Sequence, residues 1–193
     1  DVYKRQVGFG IQMFVVYPVF LKCFSKVSAP MLFSAIAEAI MVAFGTASSS
    51  ATLPLTIACC EKRGISHKIS SFVLPLGATL NFDGTALLQT VAVIFLAQAY
   101  QVHLTPFLII QIALLAIIAS STCAGIPGGG LITIALILNG MGLSPEQLVA
   151  GFAFLFTIER VTDMFRTTLN VASDAVVALS LIHISEPTRL RCI

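Results

Sequence analysis

The sequence predicts an all-α polytopic membrane protein, and three observations carry that prediction. Hydrophobic residues make up 57% of the chain and charged residues 10%, whereas a soluble domain is about a quarter charged. Between Gly84 and Pro145 there is no Asp, Glu, Lys or Arg, a stretch long enough for several membrane segments. The apolar runs are short, and clusters of Ser, Asn, Gly and Pro interrupt them where a membrane helix would continue.

The two ends read as non-native. Asp1–Gln6 can be encoded by a DNA string whose reverse complement encodes Leu179–Ile184, a string known from transposase adapters. Residues 1–6 and 179–193 are therefore expected to be adapter scars and are set apart from fold reasoning. Residues 7–178 then hold seven basic and seven acidic residues, so the +2 net charge comes from the ends. That balance leaves no basic footprint for nucleic acid. Cys23, Cys59, Cys60 and Cys123 lack metal-like spacing, and adjacent Cys59 and Cys60 read as packing residues.

The elements follow in order within a partial membrane domain spanning 7–178. Residues 7–21 form the tail of an apolar helix closed by Lys22 and Lys26. Residues 29–62 hold two apolar arms around Ser48-Ser49-Ser50. Each arm is shorter than the ~20 residues that span a bilayer, so a re-entrant hairpin is expected. Residues 66–100 predict one membrane-crossing helix broken at Asn81-Phe82-Asp83-Gly84-Thr85, where Gly84 permits unwinding. Residues 106–138 predict a second hairpin, because the Gly- and Pro-rich stretch 122–130 cannot hold a helix. Ser144-Pro145-Glu146 opens the last helix, 145–178. Interrupted segments flanking a broken helix point to a transporter site at the bilayer midplane.

The last helix carries the sharpest chemistry. Glu159, Asp163, Arg166, Thr167, Asn170 and Asp174 share a stripe roughly 100° wide at about 100° per residue. In a membrane helix such a stripe faces the interior. Asp163 with Arg166 reads either as a structural ion pair or as a substrate clamp. As a clamp, Arg grips a carboxylate and Asp163 suits an ammonium, which together describe an amino acid, preferably an acidic one. Asp83 reads either as a turn cap or as a cation ligand. Asn81, Asp83, Asn170 and Asp174, with carbonyls freed near Gly77 and Thr79, could hold a hard cation. The half-helix starting at Ala51 offers N–H groups to an anion. The segment Gly125–Gly130 resembles a phosphate loop, but no Lys and no βαβ unit accompany it, which excludes a nucleotide site of that kind.

Four motifs in order then resemble the dicarboxylate/amino acid:cation symporter family, which includes the glutamate transporters. They are Ser48–Pro54, Leu74–Leu87, Ala124–Gly130 and Asp163–Asp174. The resemblance implies sodium-coupled symport of glutamate or aspartate by a homotrimer, in which an elevator-like transport domain slides against a scaffold. It implies that Arg166 binds the side-chain carboxylate and Asp163 the amino group. Asn170, Ser49 and Ser50 would take the α-carboxylate, with Thr85, Thr167 and Gly130 lining the pocket. It assigns sodium to Asn81, Asp83, Asn170 and Asp174, joined by carbonyls near Gly77, Thr79, Ser120, Ser121 and Cys123. The second hairpin would be the gate. Phe82 departs from the Met usual in the family, and neither Ala47 nor Met164 is the Arg that some relatives carry there.

The resemblance places the protein in a cell membrane, plasma or inner, with a bacterial source expected. No organic cofactor is expected, and sodium serves as the coupling cation. Alternatives are transport of a C4-dicarboxylate or neutral amino acid, a passive channel, and an intramembrane hydrolase. A dicarboxylate would leave Asp163 without an ammonium. The hydrolase reading lacks a histidine near the serines, and Arg166 beside Asp163 does not poise a catalytic carboxylate.

Overall fold

A computed structural model describes residues 2–25, 27–123, 125–140 and 144–185. Among these residues every regular element is helical, as the composition requires. The helices are α1 (Val2–Ile11), a five-residue π turn (Gln12–Val16), α2 (Tyr17–Phe24), α3 (Ala29–Thr46), α4 (Ser49–Lys62), α5 (His67–Leu80), α6 (Asp83–Ala99), α7 (Pro106–Ser121), α8 (Gly129–Asn139) and α9 (Pro145–Ser185).

Local sequence sets most boundaries. Pro30, Pro106 and Pro145 fall in the first turns of α3, α7 and α9, where a missing N–H costs nothing. Ser48 caps α4 by accepting from the Ala51 N–H at 3.2 Å, and Thr105 caps α7 by accepting from the Leu108 N–H at 3.2 Å. Between α3 and α4 the chain reverses through Ala47, which takes a left-handed φ of 52°. At the other polar tip, Gly128 has φ 76° and starts α8, a conformation that glycine adopts without strain. The break between α5 and α6 is two residues long, Asn81 and Phe82. Helices α1 and α9 run through the expected scar boundaries at residues 6 and 179 without interruption.

Among the described residues, three helical stretches are long and apolar enough to cross a membrane: Arg5–Phe24, Ala29–Thr46 and His67–Ala99, the last across its break. Helix α8, at 11 residues, covers only ~16 Å at 1.5 Å per residue. It pairs with α7, and α3 pairs with α4. Helix α9 has 41 residues, about 60 Å at the same rise, and packs against α1, the π turn, α2, α3, α4, α5, α6 and α8.

Two apolar clusters lie along α9. One joins Leu21, Leu32, Ile36, Leu74, Leu88 and Val176, and the other joins Val93, Leu96, Ile112, Ile134, Leu138 and Leu155. Phe14, Phe72, Phe107 and Val149 are more than two-thirds exposed on the outside. An apolar exterior around a polar interior is the pattern a bilayer selects. At the α4–α5 turn, outside the apolar stretches, Glu61 accepts from the Ser70 hydroxyl at 2.7 Å and contacts His67 Nδ1 at 2.6 Å. Those bonds, Ser70's first, hold the Glu61 carboxyl below the usual range.

Candidate functional site

The polar stripe of α9 begins beyond one apolar cluster, which holds Leu155, and overlaps the other, which holds Leu169, Val171 and Ala172. Glu159, Asp163, Arg166, Thr167, Asn170 and Asp174 are all buried. Burying charge demands partners, and the break in α5–α6 and the tip before α8 supply most of them.

Arg166 Nη2 pairs with Asp163 Oδ1 one turn away. The Gly128 N–H donates to Asp163 Oδ2 at 2.8 Å, so the left-handed turn at Gly128 aims its amide at the ion pair. Arg166 Nη1 donates to Thr85 Oγ1 at 3.3 Å and lies 3.7 Å from Cys123 Sγ. Gly130 is close enough that a Cβ there would sit 3.2 Å from Arg166 Nη1. Arg166 Nε, Thr167 Oγ1 and Glu159 Oε1 are buried with no hydrogen-bond partner among the described residues. Unspent donors and acceptors around a half-satisfied guanidinium are what a polar ligand would complete.

Asn170 joins this cluster to the helix break. Its Nδ2 donates to Thr85 Oγ1 at 3.1 Å, and its Oδ1 accepts the Gly84 N–H at 3.0 Å. Gly84 is required here, because a Cβ would meet the Arg166 carbonyl at 2.8 Å. The same N–H lies 2.8 Å from Asp83 Oδ1. Asp83 Oδ2 accepts from the Tyr17 hydroxyl at 2.6 Å and from Gln12 Nε2 at 3.0 Å. Asn81 Nδ2 donates to Asp174 Oδ1 and to Ser173 Oγ, both at 2.9 Å. A cleft of about 300 Å³ bounded by Leu76, Gly77, Leu80, Asn81 and Asp174 reaches this carboxylate. A larger cavity, about 750 Å³, lies elsewhere, in an apolar groove lined by Phe9, Met13, Ile40 and Phe165.

The two polar tips touch. Ser48 Oγ donates to the Gly125 carbonyl at 2.8 Å, and the Ser50 N–H reaches the same oxygen at 3.3 Å. A Cβ at Gly125 would stand 2.5 Å from Ser49 Oγ and 2.7 Å from Ser50 Oγ. Ser49 is buried and Ser50 exposed.

Thr85, Gly130, Asp163, Arg166, Thr167 and Asn170 thus come together, with Cys123 beside Arg166. Asn81, Asp83, Gly77 and Asp174 gather at the break. The hydroxyls of Thr79, Ser120 and Ser121 do not reach these carboxylates, since each turns back to its own helix carbonyls (Thr79 to Leu76, Ser120 to Ile117, Ser121 to Ile118). The Gly77 carbonyl accepts the Asn81 N–H at 2.8 Å, and that of Ser120 accepts the Cys123 N–H at 3.0 Å. Sequence reasoning did not find Gln12, Tyr17 or Ser173. A tyrosine and a glutamine in an apolar run look like packing residues, and only Ser173, inside the Asp163–Asp174 motif, carried a local signal.

Comparison with known proteins decides the family. The model of the sodium:dicarboxylate symporter family matches residues 6–184. This chain belongs to that family. Among its relatives, a Caenorhabditis elegans excitatory amino acid transporter is 37% identical over 180 residues, 93% of this chain and 35% of the relative. Human excitatory amino acid transporter 1 is 36% identical over 180 residues, 93% of this chain and 32% of the relative. A further C. elegans protein, named for sodium-dependent excitatory amino acid transport, is 39% identical over 171 residues, 88% of this chain and 34% of the relative. The chain spans about a third of the length of the curated relatives it matches. These relatives are animal proteins, and the bacterial source expected from the sequence gains no support from them. Family membership and the apolar spans make the chain part of an integral membrane protein.

Proposed function

We propose that the full-length protein is a sodium-coupled symporter of acidic amino acids, with this chain forming part of its transport domain. One observation carries the reading: the buried Asp163–Arg166 ion pair, with Arg166 Nε unpartnered beside Thr85, Thr167 and Gly130. An amino acid with an acidic side chain exchanges this pair for two new ones. Its side-chain carboxylate takes Arg166, and its ammonium takes Asp163. No buried charge is orphaned in the exchange, which is the condition for entering a low-dielectric site. Its α-carboxylate falls to Asn170 and to the tip serines Ser49 and Ser50 at the start of α4, where helix N–H groups favour anions. A C4-dicarboxylate leaves Asp163 unpaired, and a neutral amino acid leaves Arg166 unpaired.

Coupling follows from adjacency. Asn81, Asp83 and Asp174 are hard oxygen donors fit for sodium, and Asn170 touches both the break and the pocket. Sodium at these residues, with backbone carbonyls near Gly77, Thr79, Ser120, Ser121 and Cys123, would fix the helix break against which Asn170 and Thr85 are set. Helices α3–α4 and α7–α8 act as re-entrant hairpins, the second as the gate. A homotrimeric scaffold supplied by the rest of the protein anchors the moving part. The names of the relatives support this reading, and membership in a symporter family removes the hydrolase alternative.

The test uses the full-length protein, purified and in vesicles. Aspartate is expected to raise its melting temperature only when sodium is present. Arg166→Cys is expected to abolish aspartate uptake, a loss of at least about 100-fold for a buried charge-assisted contact, and to leave uptake of neutral amino acids as the residual activity. Unchanged aspartate uptake in Arg166→Cys sinks the assignment.

A further inference from the structure

The π turn at Gln12–Val16 closes when the Tyr17 N–H bonds to the Gln12 carbonyl, five residues back. In an α-helix, residues five apart point about 140° away from one another at about 100° per residue. A turn closed i→i+5 stacks them on one face, and such turns recur at functional sites. Here both side chains land on the same atom. Gln12 Nε2 lies 3.0 Å and the Tyr17 hydroxyl 2.6 Å from Asp83 Oδ2. Tyr17 is buried at 4% exposure, and its single O–H also faces the Leu169 carbonyl at 3.2 Å. The other carboxylate oxygen, Oδ1, accepts the Gly84 N–H at 2.8 Å, and the Ser173 hydroxyl also interacts with this carboxylate. A carboxylate oxygen has two lone-pair directions. Oδ2 is therefore filled by Gln12 and Tyr17, whereas Gly84 takes one of the two directions of Oδ1.

We propose that the π turn makes Gln12 and Tyr17 the positioning residues of a cation site at Asp83, clamping one carboxylate oxygen so that the other is presented to the ion in a fixed place. The proposal rests on the sodium-symport reading given above. Its consequence is selectivity. Discrimination between cations of equal charge depends on cavity size, ligand number and ligand flexibility. A clamped carboxylate holds the spacing sodium needs, whereas a released one closes onto the smaller lithium ion.

The experiment compares wild type, Tyr17→Phe and Gln12→Leu in the full-length protein. Half-saturating sodium and lithium are measured for aspartate uptake, and again for cation-dependent thermal stabilisation of the purified protein without substrate. Tyr17→Phe is expected to raise half-saturating sodium about tenfold, the scale of one hydrogen bond to a charged group, and half-saturating lithium less than twofold. The aspartate KM at saturating sodium stays within twofold. Gln12→Leu, which removes the weaker donor, narrows the lithium–sodium gap in smaller measure and serves if Tyr17→Phe does not fold. Equal losses for both ions, or an unaltered ratio in both variants, assign the two residues to helix packing and overturn the proposal. Absence of cation dependence in the wild type overturns the symport reading itself, and it is seen before any substitution is made.

Discussion

Gly77 shows how closely single residues govern the proposed cation end of the site. A Cβ there would fall 2.5 Å from Asp174 Oδ1 and 2.8 Å from its Cγ, so Gly77→Ala must displace the carboxylate that Asn81 holds. Gly10→Ala provides the control, because nothing lies within 4 Å of its Cβ position. Sodium titration of aspartate uptake should show half-saturation raised about tenfold or more in Gly77→Ala, on the scale of one misplaced charged contact, and no change in Gly10→Ala. At this scale the sequence was most informative where chemistry was costly. Asp163, Arg166, Asn170 and Asp174 stand out because ionisable groups in an apolar helix need a reason. Tyr17 does not stand out, since an aromatic residue among Val, Phe and Leu has an ordinary packing role. Nothing in the run Gln12–Val16 marks a π turn, because its extra residue is as apolar as its neighbours.

Among the elements, the contact between the two tips is the part that has to open if the second hairpin is the gate proposed above. Ser48 and Ser50 both converge on the Gly125 carbonyl, and the tip is tight only because position 125 has no side chain. Gly125→Val is therefore expected to hold the tips apart. Aspartate should dissociate at least about tenfold faster from the full-length protein, with a smaller effect on its association rate, as contacts made after docking govern release. Rates from stopped-flow binding check this, and an unaltered dissociation rate counts against a gate at this contact. Element boundaries were legible wherever Pro or Gly forced them, as at Pro106 and Pro145. The break at Asn81–Phe82 was legible from Asp83 and Gly84. Which partners each element meets was not, because Gly128 reaching Asp163 and Ser48 reaching Gly125 depend on tertiary approach of segments dozens of residues apart.

For the whole molecule, α9 is the spine, contributing its polar stripe and residues of both apolar clusters. Many large apolar side chains lie on the outside, Phe14, Phe107, Phe156 and Val149 among them, more than a water-soluble surface carries. The family relatives are about three times as long as this chain, and the domain movement proposed above needs a partner that stays still. Vesicles containing residues 1–193 alone are accordingly expected to accumulate no labelled aspartate against a gradient, whereas the full-length protein does. Accumulation by the fragment would show that the remainder is dispensable for transport. All-helical architecture followed from composition at the outset, because a lipid-embedded backbone must satisfy itself within helices or a closed barrel.

The five-residue turn before Tyr17 also bears on how distant relatives are to be matched. It holds one residue more than an uninterrupted helix of the same rise needs. A relative with a regular helix there is one position shorter, and an ungapped alignment rotates everything upstream of Gln12 by about 100°. Residue-by-residue correspondence in that first helix is therefore anchored from Tyr17 forward, and lineages that gained or lost the insertion should have gained or lost the tyrosine–glutamine pair with it.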